Sequence, residues 1–378
     1  MKAFSKLTLL TILLFAPMHV YSDEHDNTKP EFVYDADIEM NFDNREFYKS
    51  SFSKSMTIFG ARLTPSIGFK VKQNEDTEHR VMIGVDVMKD FGSAMMSQDY
   101  FGEISLYYEL KKKLGQTELT LDAGIFPRKM MLDNYSPAFF SDSLKFYDNN
   151  LEGLLLKFER PNASFDLGCD WSGKFGDNVR ERFLIFSSGE GLVAPMLHLG
   201  YAAYVYHFAS SNQVTGVVDN ILVNPWVRLD LSSISGLQAL SFRLGWLQAM
   251  QNDRRHIGIY TYPHGGEFNF EVKNWNVGIR NSMYYGKDIM PYYNRYDAGD
   301  IKYGNQLYLG DPFYRVNDQG DTSRYGMYDR LEIFWQPYIC SFMNIRIGAF
   351  LHFNEFRYSG FQQVVKVQFN LSKIFGHE

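Results

Sequence analysis

The C-terminal segment 339–371 alternates between apolar and polar residues with a period of two. From Met343 to Phe353 the odd positions are apolar, and after a short polar break Val365, Val367 and Phe369 continue one side. Successive side chains of a β-strand point to opposite faces, so this period predicts two long strands. Each is long enough to cross a membrane, which takes about 9–11 tilted residues. A water-soluble antiparallel sheet also alternates, so the rest of the chain must distinguish the two.

The N-terminus has the pattern of a secretory signal peptide. Lys2 and Lys6 precede the apolar run 7–15, and Ser22 is a small residue suited to the cleavage site. The apolar run is far shorter than the roughly 20 residues of a spanning helix. We therefore expect a signal peptide at residues 1–22 and a mature domain at 23–378. An exported chain without an apolar helix can enter a membrane only as a closed barrel.

The composition agrees with a barrel in the outer membrane of a Gram-negative cell. Aromatic residues make up 16% of the chain, while the mean hydropathy is −0.29, as expected when half of each strand faces water. The net charge of −6 argues against a nucleic-acid partner. No segment has the spacing of a known calcium loop, and we expect neither a metal nor another cofactor.

The alternation recurs along the chain and predicts an all-β, transmembrane, antiparallel up-and-down barrel of about sixteen strands, with about fourteen or eighteen as alternatives. Segment 256–262 is a weak candidate for the twelfth strand. A change of parity near Lys273 predicts a bulge within the thirteenth. Every second connection is long, which is the arrangement of short periplasmic turns and longer external loops.

Five short segments resemble a known family. They are Phe-Asp-Asn-Arg-Glu at 42–46, Phe-Gly-Ala-Arg-Leu-Thr-Pro at 59–65, Phe-Pro-Arg-Lys at 126–129, Phe-Ser-Asp-Ser-Leu at 140–144 and Arg-Glu-Arg-Phe at 180–183. Over most of the mature chain the sequence resembles a poorly characterised family of porin-like outer-membrane proteins from Bacteroides-type bacteria. The resemblance implies an outer-membrane barrel. It implies no substrate and no functional residues.

If the apolar parity faces lipid, the other parity lines the interior with charges of both signs. Charged rings in a water-filled barrel determine which solutes pass. The alternative is a plugged interior, in which the same residues form structural pairs. The predicted lining residues are Asp86, Glu103, Asp122, Arg128, Asp166, Arg182, Arg228, Arg243, Arg330, Arg346 and Lys366.

Two long connections carry aromatic side chains. Segment 129–150, with Tyr135 and Phe140, is expected either to fold into the barrel as a constriction or to form an ordinary external loop. Segment 286–324 is expected to be a long, hydrated external loop. The alternative is a glycan site, because it carries Tyr292, Tyr293 and Tyr296 near several aspartates.

These features favour a porin-like channel for passive passage of small hydrophilic solutes. The alternatives are a plugged barrel that binds surface glycans or partners and, behind it, a barrel hydrolase. Hydrolase candidates are His198 or His207 with Ser210 or Ser211, but no Gly-x-Ser-x-Gly motif is present, so we expect no enzymatic activity and no catalytic residue. Expected partners are outer-membrane lipid, small solutes, and either further copies of the chain or a surface lipoprotein.

Overall fold

The computed structural model describes residues 29–48, 50, 53–92, 101–177, 179–299, 301–317 and 323–374. Within them, sixteen long antiparallel strands pair with their sequence neighbours, and the last strand closes on the first, with Asp37 opposite Asn370. This closed sheet confirms the predicted all-β, up-and-down barrel. The predicted signal peptide, residues 1–22, lies outside the described residues.

The wall strands are long, and most connections at one end are tight turns. They are β1 Glu31–Phe47, β2 Met56–Asn74, β3 Thr77–Asp90, β4 Phe101–Leu114, β5 Thr117–Pro127, β6 Asn150–Arg160, β7 Ala163–Gly173, β8 Arg182–Ala194, β9 Leu197–Phe208, β10 Val218–Asp230, β11 Ala239–Asp253, β12 His264–Asn274, β13 Val277–Gly286, β16 Gly326–Trp335, β18 Met343–Asn354 and β19 Arg357–Asn370.

The remaining elements are short. β14 (Tyr296–Ala298) and β15 (Ile301–Lys302) form a separate hairpin, and β17 (Tyr338–Cys340) extends the wall beside β18. No helix in the described ranges combines the length and apolar character needed to cross a membrane. The α-helices are Asp142–Tyr147, Ser232–Ser235, Gly304–Leu307 and Leu371–Ile374, and the 3-10 helices are Arg128–Met130 and Pro312–Tyr314.

The outer face of the wall is apolar, and the inner face combines buried polar residues with apolar residues of the core. Ile104 is 61% exposed and Leu244 is 58% exposed on the outside, whereas Asp166 and Glu267 are fully buried on the inside. A water-soluble sheet would hide its apolar face against another layer. This inversion identifies the outer face as the surface that contacts lipid.

The strand prediction is wrong between residues 254 and 286. Residues 254–263 form a loop rather than a strand. The parity change near Lys273 is not a bulge but comes from a hairpin turn, at which Trp275 and Asn276 have φ angles of 49° and 64°, as tight hairpins require. The predicted number of strands is therefore right, because one strand that does not form is offset by one that was not foreseen.

Two long connections turn into the barrel at the end opposite the tight turns. Residues 128–149 and 287–317 bond to each other, Ser141 N to Leu309 O at 2.9 Å and Asp311 N to Pro137 O at 2.8 Å. We call these two segments the plug. Segment 286–324 is therefore not the hydrated loop that was expected, because most of its described apolar and tyrosine side chains pack inside, with Tyr296 and Ile301 as exposed exceptions. Buried plug residues include Tyr135, Phe139, Phe140, Ile289, Met290, Tyr292, Leu307, Tyr308, Tyr314 and Val316.

Candidate functional site

The four predicted acidic lining residues lie on β3 to β7. Three of them, Asp86, Glu103 and Asp166, accept hydrogen bonds from neighbouring strands or from the plug, whereas neither carboxylate oxygen of Asp122 has a hydrogen-bond partner among the described residues. A buried carboxylate that is hydrogen-bonded within the protein stabilises the fold and needs no ligand as a partner. On β3 to β5, Asp86 contacts Arg62 Nε at 2.9 Å, Glu103 accepts from Asn150 at 2.7 Å, and fully buried Asp122 lies opposite Glu109.

Asp166 fastens the plug to the wall. Its carboxylate accepts the Tyr135 hydroxyl at 2.7 Å, the Ser188 hydroxyl at 2.7 Å and the Leu132 N–H at 3.1 Å. Burial is the main cause that raises the pKa of Tyr135, and the negative charge of Asp166 adds to it. The Tyr135 hydroxyl therefore stays protonated and donates a hydrogen bond to Asp166. Phe140 packs edge-on against Tyr135 at 5.1 Å. The predicted constriction residues Tyr135 and Phe140 are thus packed into the plug.

The predicted basic residues also face the interior and mostly bond to protein groups. These contacts account for their orientation, and solute contact stays a prediction. Arg128 lies 3.4 Å from Asp170, Arg182 donates to Ser172 O at 2.9 Å, Arg228 lies 3.0 Å from Glu190, Arg243 donates to Asn224 at 3.1 Å, and Arg346 lies 2.7 Å from Glu332.

A charged cluster joins both plug segments to the wall. Arg330 lies 3.9 Å from Asp142 of the first segment and 3.8 Å from Asp311 of the second. Burial raises the pKa of Asp311 to about 6, against the opposing effect of Arg330. The positive charge of Lys366, and to a smaller extent that of Arg330, holds the pKa of Asp142 well below its ordinary value. The cluster therefore contains one carboxylate that ionises easily and one that resists ionisation.

The three predicted loop tyrosines do not form a common face. Tyr292 is buried in the plug, Tyr293 lies under Arg315 at 4.1 Å, and Tyr296 is exposed at the barrel end. The structure does not bring them together as a glycan platform.

The histidines considered for hydrolysis are also apart from their proposed nucleophiles. His198 lies inside, 3.4 Å from Arg228, and His207 stacks on Phe183 on the outer face at 4.7 Å. Within the described part of the chain, neither histidine hydrogen-bonds to Ser210 or Ser211. The predicted candidates therefore do not assemble a nucleophile and a base.

A further histidine, which the sequence interpretation missed, lies beside a buried carboxylate at the end of a strand. β11 ends at Asp253, whose buried carboxylate closes the next turn: Oδ1 accepts the N–H groups of Arg255 and His256 at 3.2 and 3.1 Å. Oδ2 lies 2.9 Å from His256 Nδ1 and accepts the Tyr303 hydroxyl at 2.9 Å. We call Asp253 and His256 the rim dyad.

The rim dyad has the chemistry of a general base. An ionised carboxylate only accepts hydrogen bonds, so Nδ1 carries the proton in the neutral imidazole, which leaves the lone pair on Nε2. The His256 side chain is 39% exposed, so that lone pair can reach a substrate. Burial, then Asp253, raise the pKa of Tyr303, which keeps this hydroxyl a donor. A carboxylate that orients an imidazole in this way is the arrangement found in hydrolases.

Apolar and aromatic side chains lie beside the rim dyad. Ile259 is 72% exposed and Tyr262 is 57% exposed. The Tyr260 hydroxyl donates to Asp219 at 2.8 Å, and Asp219 lies on the outward parity of β10. The loop 254–263 therefore extends over the outer face. Among the described side chains, no group of three or more His, Cys, Asp or Glu residues is placed to hold a metal ion.

A family model described as Lipid A 3'-O-deacylase-type matches residues 28–316 of the chain. This range contains β1 to β13, the first plug segment, nearly all of the second, and the rim dyad. No curated protein matches the sequence.

Solved structures share the barrel fold. An outer-membrane protein of Vibrio cholerae, a loop L8 deletion mutant of OmpT, has a TM-score of 0.53 at 8% identity, covering 90% of this chain and 99% of that chain. Salmonella typhi OmpF in complex with daunomycin has a TM-score of 0.50 at 11% identity, covering 91% of this chain and 98% of that chain. The predicted porin-like outer-membrane barrel is confirmed as a fold.

The family match corrects the functional prediction. The matched family is named for a deacylase, an enzyme that removes acyl groups. The prediction of a passive, non-enzymatic channel is therefore wrong, although the fold that suggested it is right. The error came from inferring function from the fold, which many unrelated activities share.

Proposed function

Because the chain belongs to the Lipid A 3'-O-deacylase-type family, we propose that it is an outer-membrane esterase that removes an acyl chain from lipid A. The observation that carries the proposal is the rim dyad, an oriented imidazole beside exposed apolar side chains at the barrel end. An esterase acting on a lipid needs its base at the level where the ester lies. That level is the membrane surface.

His256 activates water for the hydrolysis. Nε2 takes a proton from water as the water oxygen attacks the ester carbonyl carbon. The tetrahedral intermediate then collapses, the bond between the carbonyl carbon and the sugar oxygen breaks, and Nε2 returns the proton to that oxygen. The products are a free fatty acid and a lipid with a free hydroxyl. Asp253 keeps the proton on Nδ1 and stabilises the imidazolium.

The barrel presents this base to the membrane. The plug occupies the interior at the same end, so the lipid approaches the dyad from the outer face, where Ile259 and Tyr262 are exposed. Long connections of outer-membrane barrels face the cell exterior, which supports a position of the rim dyad at the outer leaflet. Export by a signal peptide, a Bacteroides-type origin, and association with further copies or a lipoprotein stay predictions.

The test uses the refolded barrel in detergent micelles that contain lipid A. Wild type should release fatty acid, measured by mass spectrometry. His256→Gln should lower the rate by about 10² to 10⁴, the usual contribution of a general base. His79→Gln is the matched control, since this histidine follows the tight turn between β2 and β3, at the end of the barrel opposite the rim dyad.

Two results would count against the proposal. No fatty acid release by folded wild type, judged by its altered gel mobility after boiling, would remove the esterase function. Release by His256→Gln at the wild-type rate would remove the rim dyad from the mechanism and leave the family activity to other residues.

A further inference from the structure

A cleft opens beside the rim dyad, between the loop 254–263 and the second plug segment. Its volume is about 550 Å³, within the usual size of ligand-binding clefts. Ile257, which follows His256 directly, lines it together with Tyr262 on one side. The other side carries Lys287, Arg295 and Arg315.

The lining of this cleft is positively charged. It contains three basic residues, Lys287, Arg295 and Arg315, and one acidic residue, Asp288. Within the described residues, neither Lys287 nor Arg295 forms a salt bridge. Lys287 Nζ lies over the Tyr325 ring at 5.8 Å, and the Arg295 guanidinium lies over the Tyr292 ring at 5.6 Å. Aromatic faces hold both cations in place while leaving their N–H donors for an anion.

The cleft and the dyad share a support. The Tyr303 hydroxyl donates to Asp253, and the Tyr303 backbone N–H donates to Arg295 O at 3.0 Å. One residue thus fixes both the carboxylate that orients His256 and the backbone of a cleft arginine. Tyr303 therefore joins the dyad to the segment that carries a cleft arginine.

The cleft continues onto an aromatic part of the outer face. Trp246 stacks on His264 at 5.3 Å, His264 Nε2 lies 2.8 Å from the Tyr325 hydroxyl, and Tyr325 stacks on Tyr285 at 5.8 Å. Tyr325 also lies under Lys287. A ligand that places an anion beside Lys287 therefore has an exposed apolar surface next to it, which suits an amphiphile better than a free ion.

We infer that this cleft binds the phosphate of a lipid head group and makes the hydrolysis selective for phosphorylated lipid, with Lys287 and Arg295 as the specificity-determining residues. The inference rests on the proposed function for its selectivity. The binding itself does not depend on turnover. Arginine and lysine donors pair strongly with phosphate oxygens, which carry the charge that a hydroxyl in the same place lacks.

The experiment compares lipid A with and without its phosphate groups. Wild type should have a KM at least about tenfold lower for the phosphorylated lipid, the scale of a hydrogen bond to a charged group. Lys287→Gln combined with Arg295→Gln should raise that KM about tenfold, with little change in kcat, and should leave the dephosphorylated lipid unaffected. Lys302→Gln is the control, since this cation lies over Tyr296 outside the cleft lining.

A second arm measures binding without turnover, using tryptophan and tyrosine fluorescence of His256→Gln in micelles. Tighter binding of phosphorylated lipid, abolished by the double substitution, supports the inference even if wild type hydrolyses nothing, in which case only the proposed function fails. Equal binding of both lipids overturns the inference even if hydrolysis occurs. Binding of inorganic phosphate alone as tightly as the phosphorylated lipid also overturns it, because the cleft would then recognise the free ion.

Discussion

The plug and the rim use the same residue types in opposite ways. Where the plug meets the wall, the buried plug residue Tyr135 donates its hydroxyl to the buried wall residue Asp166, so these polar groups hold the plug in place. At the rim, Asp253 is equally buried, but it orients His256, whose second nitrogen remains accessible. Charge and aromatic content therefore do not distinguish structural residues from candidate catalytic residues in this barrel. The distinguishing feature is an accessible side chain that a buried side chain orients. Substitutions should divide accordingly, with plug changes acting on stability and rim changes on activity.

The largest stability effect is expected in the plug core. Phe139 is fully buried and meets the Tyr204 ring edge-on at 5.4 Å. Phe139→Ala should lower the free energy of unfolding by about 3–5 kcal/mol. The substitution removes a buried ring, and the surrounding side chains refill the resulting cavity only in part. Guanidinium unfolding in detergent measures this, and Phe175→Ala, at a half-exposed loop position, is the control. Equal losses for the two variants would show that the plug is not a packed core.

A smaller effect is expected from the charged cluster, and its sign depends on pH. Asp311 has a pKa of about 6 when folded, above its ordinary value of 3.8. The folded state therefore binds the proton more tightly, and stability falls as pH rises from about 4 to about 6. The full cost at neutral pH is up to about 3 kcal/mol, from about 1.4 kcal/mol per pKa unit.

Asp311→Asn should remove this dependence. The Asn side chain can still accept the Phe313 N–H that Asp311 accepts at 3.1 Å. Measured between pH 4 and 7, the stability difference between variant and wild type should grow in favour of the variant. A difference that stays constant across this range would show that Asp311 does not resist ionisation.

The smallest stability effect is expected at the rim. His256 lies in an exposed loop, and His256→Gln should change the free energy of unfolding by less than about 1 kcal/mol, in line with surface substitutions. The same variant should lose most of its activity, and thermal melting in detergent separates the two effects. A destabilisation as large as that of Phe139→Ala would place His256 with the plug rather than with the chemistry.

The strands of the wall were predictable from sequence because the face that a strand residue occupies depends only on its position along the strand. Side chains alternate between lipid and interior, so Ile345 or Val367 reveals its face from its neighbours alone. The same rule failed at Trp275 and Asn276, where a two-residue turn without glycine resembled a bulge. Glycine or aspartate-glycine would have marked the turn.

The plug and the rim dyad were not predictable in the same way. The tyrosines of segment 286–324 have no period, and their burial depends on contacts with the distant segment 128–149. The spacing Asp253-x-x-His256 was visible, but such a pair has meaning only once a strand is known to end at Asp253. The segment from His256 was instead assigned to a strand. This assignment hid a loop that extends over the outer face of the barrel.

Expression of the chain in a Gram-negative host, followed by mass spectrometry of the extracted lipid A, tests the central claim most directly. Cells carrying folded wild type in the outer membrane should contain lipid A that lacks one ester-linked acyl chain, and cells carrying His256→Gln should retain it. Unchanged lipid A in cells whose outer membrane contains folded wild type would contradict the account.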